Sequence, residues 1–269
     1  MKVFVVSDME GVSGIVKGPQ TTGGAPLYEE GRRLYTEEIN AAVRGAKAAG
    51  AAEIVVMDCH GAGGEWTFNS LVPDLLDPAC EYVVQTEWTE YTEFLEQGAD
   101  AALFVGMHAM AGTRDGVLNH TVSGQVWQNL WFNGTLVGET GINAAFCGTW
   151  GCPVLLVTGD DASCREGTAL LGDGLTTVAV KRGLGQTSAR MIPPVRARQL
   201  IEDGAREALS DLKAVQPYDP GKPSEIRVEY KNTEAPDALR YRHGVERVDD
   251  RTIVSRADDW WTAWRQFFF

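Results

Sequence analysis

Lys2-Val3-Phe4-Val5-Val6-Ser7, then Tyr28 to Ala49, then Glu53-Ile54-Val55-Val56-Met57: these three pieces decide the fold class of the chain. The outer two are short apolar runs rich in β-branched residues, as in strands buried on both faces. The middle piece, with Thr36-Glu37-Glu38 and an Ala-rich continuation ending at Gly50, suits a helix and its C-cap. Strand, helix, strand implies a crossover, and a crossover joins parallel strands.

The same texture recurs outward at Glu81–Gln85, Ala101–Val105, Pro153–Thr158 and Thr176–Val180. An α/β fold is expected, with a mostly parallel Rossmann-like sheet and helices on both faces. Gln125–Val137 alternates around Asn133-Gly134, a pair suited to a type I′ hairpin, so an antiparallel excursion is expected there. After Arg182 the texture changes. Ile192-Pro193-Pro194 precedes an amphipathic helix over Val195–Leu212, and Pro217, Pro220 and Pro223 mark a break. Strands near Glu225–Tyr230 and Arg251–Ser255, a short helix over Ala235–Arg240 and a terminal helix follow. The expected division is a metal-binding catalytic domain over residues 1–185 and a smaller α/β companion over 186–269. Trp260, Trp261, Trp264, Phe267 and Phe268 share a helical face, expected to dock on the body or a sister subunit rather than stack on a ligand.

Composition narrows function. The 269 residues carry 24 Lys plus Arg against 37 Asp plus Glu, a net charge of −13, which disfavours nucleic acid as a partner. No apolar run is long enough to span a bilayer, so no membrane is expected. Met1 to Val6 reads as a first strand, too soon charged for a signal-peptide core. The 5 cysteines are an odd, scattered set, which fits a reducing cytoplasm.

In open parallel sheets ligands bind beyond the carboxyl ends of the strands. There the sequence places Asp8 and Glu10, Asp58 and His60, and His108, while His120 stands beside Asn119 in a Gly-containing loop. Asp8 and Glu10 share one side of an extended segment and can reach one centre. Carboxylate and imidazole donors are what catalytic zinc takes, and a carboxylate can bridge two ions. The dinucleotide-like Gly61-Ala62-Gly63 lacks its third glycine at Trp66, and neither a P-loop nor a G-x-S-x-G elbow occurs. Asp160-Asp161 reads either as a site for a substrate amine or as a helix N-cap.

These stretches together resemble the DppA-type zinc D-aminopeptidases. The likeness runs through Ser7–Gly14, Tyr28–Arg32 with Thr36-Glu37-Glu38, Asp58–His60, Gly106–Ala109, Gly116–His120, Gly138–Asn143 and Pro153–Asp161, and fades beyond Arg182. It implies a two-zinc site held by Asp8, Glu10, His60, His108 and Glu139, with Asp8 as bridge and His120 as the catalytic histidine. It further implies hydrolysis of the N-terminal residue of short peptides, preferentially small D-residues, and ring-like homo-oligomers, in the family decamers. The loop from Ala109 to Asn119 is expected to line the specificity pocket. Two other functions use similar ligands: a di-metal phosphoesterase, for which Arg114 is the one nearby cation in the motif loops, and a non-catalytic metal-binding scaffold.

Overall fold

The structure, a computed structural model, describes residues 1–88 and 91–268. The first half of the chain supplies β1 (Lys2–Ser7), α1 (Tyr28–Ala48), β2 (Glu53–Asp58), β3 (Glu81–Val83), α2 (Glu93–Glu96) and β4 (Ala101–Met107). Next come β5 (Trp127–Phe132), β6 (Thr135–Val137), α3 (Glu139–Thr149), β7 (Val154–Asp160), α4 (Asp161–Leu171), β8 (Thr176–Gly185) and β9 (Ser188–Met191). The chain ends with α5 (Pro194–Ala208), β10 (Ser224–Tyr230), α6 (Glu234–Leu239), β11 (Val245–Arg247), β12 (Thr252–Ala257) and α7 (Trp260–Arg265).

A seven-stranded sheet runs in the order β3-β2-β1-β4-β7-β8-β9, parallel throughout except for its last strand. The α/β expectation is met. Val3, Phe4, Val5 and Val6 of β1 and Leu103, Phe104 and Val105 of β4 are fully buried, as central strands covered on both faces must be. Helix α1 turns Tyr35, Ile39, Val43 and Ala46 inward at three- and four-residue spacing, and Gly50, with φ of +90°, ends it. Helices pair as α1 with α5 and α3 with α4, and the two pairs cover the sheet.

The chain moves outward from β1 through β2 to β3, then returns to β4 and proceeds the other way through β7 to β8. Strand order therefore reverses between β1 and β4, and a crevice opens beyond the carboxyl ends of these neighbours. A second, antiparallel sheet has the order β11-β12-β10-β5-β6. The Asn133-Gly134 hairpin belongs to it, so its strands come from both sides of residue 185, while β9 and α5 pack with the first sheet. The two sheets do not part at that residue.

Candidate metal centre

Two glycines bring the ends of β1 and β4 together. The Gly11 amide donates to Gly106 O at 2.8 Å, and a Cβ on Gly11 would lie 2.0 Å from Met107 O. Gly106 has φ of +76°, and a Cβ there would meet Asp8 O at 2.0 Å. No side chain fits at either place. Asp8 and Glu10 are thereby set against His108, the residue after β4. His60 arrives from the end of β2, where buried Asp58 takes the His60 amide at 3.0 Å, the Tyr35 hydroxyl at 2.8 Å and the Ser70 amide. Glu139 opens α3, and His120 comes from the loop before β5.

All six expected residues converge. Asp8 turns Oδ1 toward His60 Nδ1 at 3.2 Å and Oδ2 toward His108 Nε2 at 3.3 Å. Glu10 Oε2 lies 3.1 Å from His60 Nδ1. On the other side, Glu139 Oε1 stands 3.3 Å from His108 Nε2 and 3.6 Å from His120 Nε2. The His108 and His120 rings stack with centroids 4.1 Å apart. Donor atoms of Asp8, Glu10 and His108 lie within 4.8 Å of one another, as do those of His108, His120 and Glu139. His60 is in neither of these tight sets and touches the cluster through Asp8 and Glu10.

Each imidazole has one nitrogen tied to a backbone carbonyl: His60 Nε2 to Thr21 O at 2.7 Å, His108 Nδ1 to Ala109 O at 2.9 Å, His120 Nδ1 to Leu118 O at 2.9 Å. A nitrogen bonded to a carbonyl must carry the proton, so in the neutral ring the other nitrogen presents a lone pair to the carboxylates. Metal-ligating histidines are oriented in this way. Asp8 Oδ2, Glu10 Oε2 and His108 Nε2 are buried and lack hydrogen-bond partners among the described residues, an expensive arrangement unless a cation satisfies them. The donor set fits zinc.

Electrostatics agree. Burial, then repulsion from Glu10, pushes Asp8 up to about 6. Burial also works to raise Glu10 and Glu139, but the charge on His60 holds Glu10 well below the carboxylate range, and that on His108 holds Glu139 at about 2. His60 and His108 rise well above the ordinary imidazole value, because Glu10 and Glu139 outweigh the desolvation that would lower them. The cluster stabilises positive charge at its centre.

A family profile described as D-aminopeptidase matches residues 1–269. The chain belongs to the D-aminopeptidase family. It is 30% identical over 267 residues to the D-aminopeptidase of Bacillus subtilis (strain 168), covering 98% of this chain and 94% of that protein. It superposes with a TM-score of 0.91, at 29% identity, on the Zn-dependent D-aminopeptidase DppA from Bacillus subtilis, described as a self-compartmentalizing protease, covering 99% of this chain and 95% of that one.

In this member of the D-aminopeptidase family the structure bears on three further readings. Of the two readings of Asp160 the helix N-cap holds: it is fully buried, caps α4 by accepting from Ser163 N at 2.7 Å, and accepts from Val117 N at 2.6 Å. Asp161 pairs with Arg165 on the surface. The loop from Ala109 to Asn119 closes on itself through Asn119, which accepts from Gly112 N at 2.9 Å and donates to Gly116 O at 2.8 Å. The terminal aromatic face docks on the body as expected, and Trp264 and Phe268 also border the cleft.

One supporting residue has no signal in the sequence beyond a charge in a strand. Lys181 of β8 is 2% exposed and donates to Glu10 O at 2.5 Å, Val12 O at 2.9 Å and Ile15 O at 2.7 Å. It pins the loop that carries Glu10.

Proposed function

We propose that this chain is a zinc-dependent D-aminopeptidase that removes the N-terminal residue from short D-amino-acid peptides or amides, with two zinc ions per chain held by Asp8, Glu10, His60, His108 and Glu139. The carrying observation is the Asp8 carboxylate, whose two oxygens face His60 on one side and His108 on the other. One carboxylate shared between two donor groups is the arrangement a pair of ions needs. The chemistry zinc supplies when bound is Lewis acidity, which lowers the pKa of a water and polarises a carbonyl.

The remaining work falls to the chain. His120 is fixed through Nδ1, leaving Nε2 beside Glu139 to accept a proton and return it to the leaving amine. Glu139 is braced by the Val122 amide at 2.8 Å. Glu87, a cleft carboxylate outside the cluster, is available to the substrate ammonium. Among the described lining residues there is no Lys or Arg, which removes the support for a phosphoesterase.

The self-compartmentalizing relative supports a homo-oligomeric assembly here, and we propose the decamer as its form. No helix among the described residues is long and apolar enough to cross a membrane. We propose a cytoplasmic placement, with which the 5 free cysteines agree. Elemental analysis of the purified protein tests the central part. Close to two zinc ions per chain are expected, with hydrolysis of D-alanyl dipeptides lost on chelation and recovered on adding zinc. Full turnover by metal-free protein would end the reading.

A further inference from the structure

The cleft, about 360 Å³ in volume, has two unlike halves: the cluster on one side and an apolar wall of Trp88, Ile142, Trp264 and Phe268 on the other. The wall is built from the core outward. Trp264 is 1% exposed, stacks on Trp260 with centroids 5.4 Å apart and meets Trp88 edge-on at 5.7 Å. Phe268 lies 5.2 Å from Trp264 and is 40% exposed, so it forms the outer edge of the wall. Ile142 stands one residue before Asn143 and less than one turn from Glu139 on α3, which ties the wall to the cluster through a rigid helix.

A substrate whose scissile carbonyl sits at the cluster, and whose ammonium is held by a carboxylate, has only its side chain left to place. We propose that the C-terminal turn is the specificity element: Phe268, backed by the buried Trp264, receives the side chain of the N-terminal residue and selects uncharged, apolar side chains. This inference rests on the D-aminopeptidase reading.

The test is Phe268→Ala, chosen because so exposed a residue can be truncated without opening the core. In the zinc-loaded enzyme the ratio of kcat/KM for D-leucinamide over D-alaninamide is expected to fall about tenfold, mainly through KM, since pocket contacts of this size discriminate by about that much. Phe268→Leu should keep most of the ratio. A second readout needs no turnover: quenching of tryptophan fluorescence by D-leucine and D-alanine, in which the variant should weaken D-leucine binding more than D-alanine binding. Unchanged preferences in both readouts, in a Phe268→Ala protein of wild-type Tm and zinc content, overturn the inference. If the wild type hydrolyses neither amide, the D-aminopeptidase reading fails, and the fluorescence titration still decides whether the wall selects the side chain.

Discussion

At the residue scale, the cluster depends on groups that are not ligands. Lys181 donates to three carbonyls behind Glu10, and Lys181→Met leaves Glu10 O and Ile15 O without that donor and Val12 O with the Ile15 amide alone. A loss of about 2–4 kcal/mol in urea unfolding is expected, together with weaker retention of metal. Wild-type stability in that variant would mean that the lysine holds nothing in place. Replacing His60 or His108 by Ala should release metal, whereas His120→Ala should abolish turnover and keep metal content nearly unchanged. Metal analysis beside a hydrolysis assay separates the two roles, and loss of both ions from the His120 variant would place it among the ligands. Glu38 gives a pH signature. It is 1% exposed, and burial, opposed by the Ser13 amide, pushes it from 4.5 up to about 7. Folded protein thus holds this proton more tightly than unfolded chain. The resulting stability is complete below about pH 4.5 and is lost as pH rises through about 7, on the order of 3 kcal/mol in all. Thermal melts from pH 5 to pH 8 should show a shallower decline in Glu38→Gln than in the wild type, and parallel curves would refute the assignment.

At the element scale, the meeting of β1 and β4 is the decisive contact. Gly11→Ala places a methyl 2.0 Å from Met107 O, a separation that backbone atoms cannot accept, so the strand ends must separate. The expected result is a destabilised protein, by about 1–3 kcal/mol, with much reduced zinc content. Normal zinc content would show that the cluster tolerates strand separation. The elements themselves were unevenly legible. Residues 2–58 read almost to the residue, because apolar runs, an amphipathic helix and Gly50 all gave one answer. The β8–β9 hairpin has no local signature, because the apolar run stops at Val180 where Lys181 and Arg182 follow. Lys181 is inside the strand because its partners lie more than 160 residues away in sequence, at Glu10, Val12 and Ile15, which no local pattern can register. His60 and His108 were visible as donors after strands. Glu139 was not, since a glutamate opening a helix already has an ordinary reason to be there, and only the family resemblance singled it out.

At the scale of the whole molecule, a reversal of strand order creates the crevice, three strand ends, a loop and a helix start fill it with donors, and the last residues of the chain wall it. The terminal aromatics showed a helical face in the sequence but not what that face covers, because the surface it meets is assembled from Trp88, Phe132 and Phe146, far apart in the chain. If the molecule assembles like its self-compartmentalizing relative, light scattering should give a mass many times that of one chain, and a mass of a single chain would contradict the proposed assembly. Handedness and metal are linked in this site, because fixing both the ammonium and the carbonyl of a substrate leaves its side chain one direction in which to point. The most direct measurement is kcat/KM for D-alaninamide and L-alaninamide on one zinc-counted preparation. A strong preference for the D-enantiomer is expected. Equal values, or a preference for L-alaninamide, would contradict it.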